Sequence, residues 1–212
     1  VIVNEGISES SHPRGTIITQ FVEMPFCFYR SIYGLKLSEQ DEWCHKVLLA
    51  ILWSSLARYY FFMTSANWGL WHHKLLLDEL LRLPVVLDKE SLTTQRIISI
   101  VDKLRNYHPQ KRDLLHPDGV PAAEVETQRR IWEKELDEAV FELYGLNEEQ
   151  KDLIRDCCEV TLPFFYKPFN SAGAMPAVRG NDLSWIENYI RVFARRWNAY
   201  LGDAIEMRAE VH

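Results

Sequence analysis

No two prolines stand side by side in this chain, and its nine glycines are scattered. No GxGxxG-like cluster exists, which excludes a Gly-rich nucleotide-binding turn opening a helix. Cysteine is scarce: Cys27, Cys44, Cys157 and Cys158 show no CxxC spacing. Adjacent cysteines such as Cys157 and Cys158 are poorly placed to bridge each other, and reduced, buried thiols of a cytosolic protein are the expectation. Long uncharged runs are missing too. In the most apolar region the run from Val47 to Ala57 ends at Arg58, well short of the about twenty residues a membrane helix needs. The amino terminus lacks a basic stretch followed by an apolar one, so no signal peptide is expected. Positive charge is also in deficit. The net charge is −6, whereas a dedicated DNA-binding domain is usually basic, because phosphate neutralisation supplies much of its affinity. The deficit is uneven: residues 1–87 hold 7 Lys and Arg against 8 Asp and Glu, and residues 88–212 hold 17 against 22.

What the chain has is apolar mass. It is 47% hydrophobic and 12% aromatic, enough for a core in one or two domains. That mass is densest between Glu42 and Pro84. Trp43, Val47, Leu48, Ile51, Leu52, Leu56, Tyr60 and Met63 recur at steps of three and four, which predicts one long helix with a buried face. The loop from Thr64 to Gly69 carries Ser, Asn and Gly, all suited to turns. Trp71, His72, His73 and Lys74 follow at once, and a shorter helix stops at Pro84. Upstream, Val1–Val3, Thr16–Val22 and Phe26–Ile32 read as strands. The expected fold class is α+β, mostly α: a small amino-terminal sheet packed on the long apolar helix, then a helical bundle or hairpin.

Beyond Pro84 the pattern is helical. Ser91 caps a helix through about Arg105, with Ile97, Ile98, Val101 and Leu104 on one face. Asn106 to Pro121 reads as a loop. A second helix spans about Ala122 to Tyr144, with Val125, Trp132, Leu136, Val140 and Leu143 near a heptad step, so an antiparallel hairpin and an ordinary bundle both fit. Gly145 ends it as a left-handed cap. Asn147 and Gln150 form a capping box for a third helix to about Glu159. Pro163 to Gly180 reads as loop, Asp182 starts a last helix, and Met207 to His212 reads as a strand. Three units are expected: residues 1–87, a recognition-like α+β domain; 88–160, a helical hairpin or spacer; and 161–212, a carboxy-terminal helical segment.

The stretch LLAILWSSLARYYFFMTSANWGLWHHKLLLDELLRLP resembles the target-recognition region of DNA N6-adenine methyltransferases, those of single-chain restriction–modification enzymes (type II or IIG-like) and related phage-defence methylases. That family shows Leu-Leu-x-hydrophobic-Leu-Asn-Ser, an aromatic pair, Thr/Ser-Ser-x-x-Trp-Gly and a helix ending in Leu-Pro. The matches are Leu48, Leu49, Leu52, Ser54, Tyr59, Tyr60, Ser65, Trp68, Gly69, Leu83 and Pro84. Trp53 departs from the family's Asn. Phe26 to Leu37 resembles the preceding strand, and Leu136 to Asp156 resembles a segment that follows the recognition domain. The likeness spans about 130 residues. The family's Asn/Asp-Pro-Pro-aromatic tetrapeptide, which holds a flipped adenine, is absent, and no Asp/Glu-x-Lys signature of a nuclease follows Pro117-Asp118 on a strand. With a start at Val1-Ile2-Val3 and no initiator Met, the expectation is the carboxy-terminal part of a larger bacterial, cytoplasmic enzyme. The resemblance implies that the parent uses S-adenosylmethionine, while this part binds no cofactor.

The expected contacts with double-stranded DNA are Asn67, His72, His73 and Lys74 on the loop, with Arg30 and Arg14 from the strand region. Asn suits adenine, and Lys suits guanine or phosphate. Trp68, Gly69 and Tyr60 are expected to be structural. Other partners are the missing catalytic domain and a second copy of the chain. The rival reading is a helical docking domain of a restriction or phage-defence complex. His72, His73, His108 and His116 lack the Cys or Asp neighbours of a metal site. Glu135, Asp137 and Glu138 read as a solvent-facing helix edge.

Overall fold

Alternation of apolar and polar residues builds an antiparallel sheet from the first segment of the chain. β1 (Ile2–Ser8) lies between β2 (Thr16–Gln20) and β3 (Ile32–Gly34). Val3, Ile7 and Ile17 turn one face inward. The third strand sits later than the Phe26–Ile32 run predicts; the residues that pair are Ile32 to Gly34, opposite Asn4 to Ile2. The computed structural model describes residues 1–8, 15–23, 27, 30–37, 41–68, 73–112, 116–166, 184–201 and 208. Over these the chain is α+β and mostly α.

The long apolar helix is in fact two. α1 (Glu42–Trp53) and α2 (Ser55–Thr64) meet at Ser54 with a bend of 64°. A new helix start exposes N–H groups that need partners, and Ser54 and Asp137 each supply one. Ser54 Oγ accepts from Ala57 N–H and donates to the Ile51 carbonyl. Asp137, from far along the chain, accepts the Ser55 N–H at 2.7 Å. The bend resets the helical register. Val47 to Leu52 are all buried, whereas Met63, on the predicted inner face, is 62% exposed. No single described helix is long and apolar enough to cross a membrane; the bent α1–α2 pair has the composition, but its apolar residues line the core.

α3 (Leu77–Leu80) is a single turn, followed by α4 (Leu92–Asn106) and α5 (Ala122–Leu143). Ser91 caps α4 by accepting the Thr93 N–H. Arg96 pairs with Glu142 at one end and Tyr107 packs edge-on against Trp132 at the other, so α4 and α5 run antiparallel. Lys46 ties α1 to α4 through Asp102 at 2.8 Å. Gly145 closes α5 with φ +63°, a conformation that favours glycine. Asn147 and Gln150 form the reciprocal capping box of α6 (Glu148–Asp156).

The helical path that begins with α6 does not stop near Glu159. It continues as a π-helical turn, Cys157–Thr161, and then α7 (Leu162–Phe165). The Leu162 N–H reaches back five residues to the Cys157 carbonyl, a widened turn directly before Pro163, which has no N–H of its own. The last helix, α8 (Ser184–Leu201), meets α6 through Arg195–Asp152 and Arg196–Glu149 ion pairs. The predicted loop beyond 166, the Asp182 start and the strand at 207–212 lie outside the described residues, Arg208 apart. One continuous core joins Val3 and Ile17 of the sheet, α1, α2, α4, α5, Ile154 and Leu162, across the boundary expected after residue 87.

Candidate nucleic-acid interface

The segment between α2 and α3 is fixed at both ends. At the near end Ser65 closes α2 by donating its N–H to the Phe61 carbonyl. Its hydroxyl donates to Glu79 at 2.8 Å, and the same carboxylate accepts the Ala66 N–H at 2.7 Å and the Leu76 N–H at 3.0 Å. Burial pushes the Glu79 carboxyl upward, but these three hydrogen bonds and nearby Arg82 outweigh it and hold the group below its ordinary value. At the far end the backbone joins the sheet. The Ile7 N–H donates to the His73 carbonyl at 2.8 Å, and the Leu75 N–H donates to the Glu5 carbonyl at 2.9 Å. β1 is thus flanked first by β3 and then by residues 73–75.

The predicted contact residues of this region fall into two groups. Asn67 is half-buried and Trp68 is buried. The Trp68 indole donates to the Tyr166 hydroxyl at 2.6 Å and packs edge-on against Phe62. The His73 ring lies 5.0 Å from that of Tyr166, within the same aromatic group. Lys74 is half-exposed and pairs with Glu5 at 3.3 Å. Arg30 is exposed and precedes Ser31, whose carbonyl accepts the Glu5 N–H. Lys74 and Arg30 therefore flank the same residue of β1 through neighbouring backbone bonds. Tyr60 donates to the Arg82 carbonyl at 2.9 Å, linking α2 to the turn after α3. Arg14, Gly69 and His72 lie outside the described residues.

Periodicity missed a second polar group, in the core. Asp137 does not belong to a solvent-facing edge. Its carboxylate caps α2 from α5, and burial raises its pKa against the opposing Ser55 N–H and Arg58. Cys158 donates its thiol to the Ser55 carbonyl, and burial pushes that thiol up to about 12, which keeps it protonated and unreactive. A Ser-Ser pair inside an apolar helical run was the one available signal. Trp53, at the family's Asn position, ends α1 and donates its indole N–H to the Thr19 carbonyl at 3.3 Å. No protein-family model matches the chain, and no curated protein or solved structure matches it significantly.

Proposed function

We propose that this chain is the DNA target-recognition part of a cytoplasmic restriction–modification N6-adenine methyltransferase whose catalysis, and whose S-adenosylmethionine site, lie in a separate domain. The observation that carries the reading is the double anchoring of the segment from Ser65 to Leu75, by Glu79 and by β1. Base reading needs donors and acceptors held in a constant position relative to the duplex. Asn67 has the amide suited to adenine, and Lys74 and Arg30 offer charge for guanine or phosphate. The Lys74–Glu5 pair is no obstacle. A half-exposed ion pair is worth only about 0–1 kcal/mol, so a phosphate displaces it at small cost.

The test is fluorescence anisotropy of a labelled random duplex with the whole chain, at low and at physiological salt. Binding that weakens steeply with salt is expected despite the net charge of −6. Asn67→Ala with Lys74→Ala should weaken it. No binding at low salt overturns the reading.

A second reading, a protein-docking domain, is favoured by a run of exposed apolar side chains. Leu76, just before α3, and Leu77, Leu81, Val85 and Leu87, on and after it, are 37–66% exposed. Light scattering against a catalytic subunit, or a mass that rises with concentration, would support it.

A further inference from the structure

Residues 88–212 are acidic on average, yet Lys103 to Arg112 (KLRNYHPQKR) contains four cationic side chains, His108 and no carboxylate, between Asp102 and Asp113. Arg105 pairs with Glu23 and Asp102, while Tyr107 to Lys111 leave α4 and border, with the first turns of α5, an open cavity of about 570 Å³. Tyr107, His108, Lys111, Glu126 and Arg129 are among its lining residues. Glu126, the one carboxylate among the described lining residues, is engaged by Arg130 at 3.2 Å. Among the described lining residues, two cations, Lys111 and Arg129, stand against that one carboxylate. The amino-terminal turn of α5 adds its positive pole at Ala122.

The rim is held in shape. The Val120 N–H donates to the Gln110 carbonyl at 2.9 Å, and the Arg112 N–H donates to the Val120 carbonyl at 2.8 Å. Arg112 Nε also donates to the Gly119 carbonyl at 3.0 Å. Gly119 sits where two passes of the loop nearly touch. A Cβ there would lie 2.7–2.8 Å from backbone atoms of Gln110, Lys111 and Arg112. Tyr107 is pinned edge-on to Trp132. Lys111 is thus presented from a closed loop.

We propose that this cleft seats the phosphate backbone of duplex DNA, between Lys111, His108 and Arg129. The inference rests on the target-recognition reading and adds a second contact surface to it. Flexible cations around an open cleft, without a bank of amides, suit phosphate positioning rather than base reading. In a chain of net charge −6, the run from Lys103 to Arg112 is a stretch of ten residues with no carboxylate of its own.

The experiment measures the slope of log K against log salt for the whole chain on random duplexes, comparing wild type, Lys111→Ala/Arg129→Ala and Asn67→Ala/Lys74→Ala. The cleft variant should lose about 2 from the magnitude of the slope, and its affinity should fall alike for all sequences. Lys111→Gln alone, at an exposed side chain, should lose about 1 and serves if the double variant melts lower. A wild-type slope retained by both cleft variants overturns the proposal and leaves the loop reading standing. Loss in the cleft variants with none in the loop variant supports the cleft and overturns the loop assignment. Equal competition by poly-glutamate at matched charge overturns the assignment to DNA, and a wild-type chain that ignores duplex at low salt overturns both.

Discussion

Two carboxylates in this chain have environments that shift them in opposite directions, with opposite consequences for stability. Glu79 is held below its ordinary value. A depressed acid contributes stability that is fully present above its unfolded pKa and is lost as pH falls through the folded one. Glu79→Gln should therefore cost about 1–2 kcal/mol at pH 7, and urea melts should show the gap to wild type closing as pH drops below about 4. Asp137 is raised by burial, so its charge is a cost that appears as pH rises above its unfolded value. Asp137→Asn keeps an acceptor for the Ser55 N–H and removes that charge; its melting temperature at pH 7 should equal or exceed wild type. Asp137→Leu should lower it, because a buried N–H is then unpaired, at about 1–3 kcal/mol.

At the scale of elements, what could be read from the chain depends on how local its cause is. The Asn147–Gln150 capping box, the Gly145 stop and the Ser91 cap each need only a few neighbouring residues, and each stands where the pattern puts it. The break at Ser54 depends on Asp137, 82 positions beyond the Ser55 N–H that it caps, so periodicity alone predicts one unbroken helix. The candidate site behaves the same way. Its residue types are visible in the sequence, but the partner of Trp68 is Tyr166, 98 positions away, and the basic run at 103–112 is outweighed by the acidic residues of 88–212. Since Ser54 Oγ serves the start of α2, Ser54→Ala should destabilise by about 1 kcal/mol. A thermal melt checks this, and an unchanged melting temperature would mean that Asp137 caps the helix unaided.

At the scale of the whole molecule, the sheet and the helices share one core. α1 presents Val47 to Leu52 to the sheet on one side and to α4 and α5 on the other. Residues 1–87 expressed alone would leave the apolar surface that Ile97, Val101, Leu136 and Val140 cover in water, at about 25 cal/mol per Å². That fragment should lack cooperative unfolding, and a sharp melt by circular dichroism would contradict this. The sheet has a further consequence for how the molecule behaves in a crowded solution. Its longest strand, β1, has no open edge: β2 lies on one side, and β3 followed by residues 73–75 lies on the other. The outer strands, β2 and β3, are five and three residues long, and the Trp53 indole already occupies the Thr19 carbonyl. Strands so short offer little template for edge-to-edge aggregation, so the chain should stay dispersed at concentrations where an exposed seven-residue strand would recruit its neighbours.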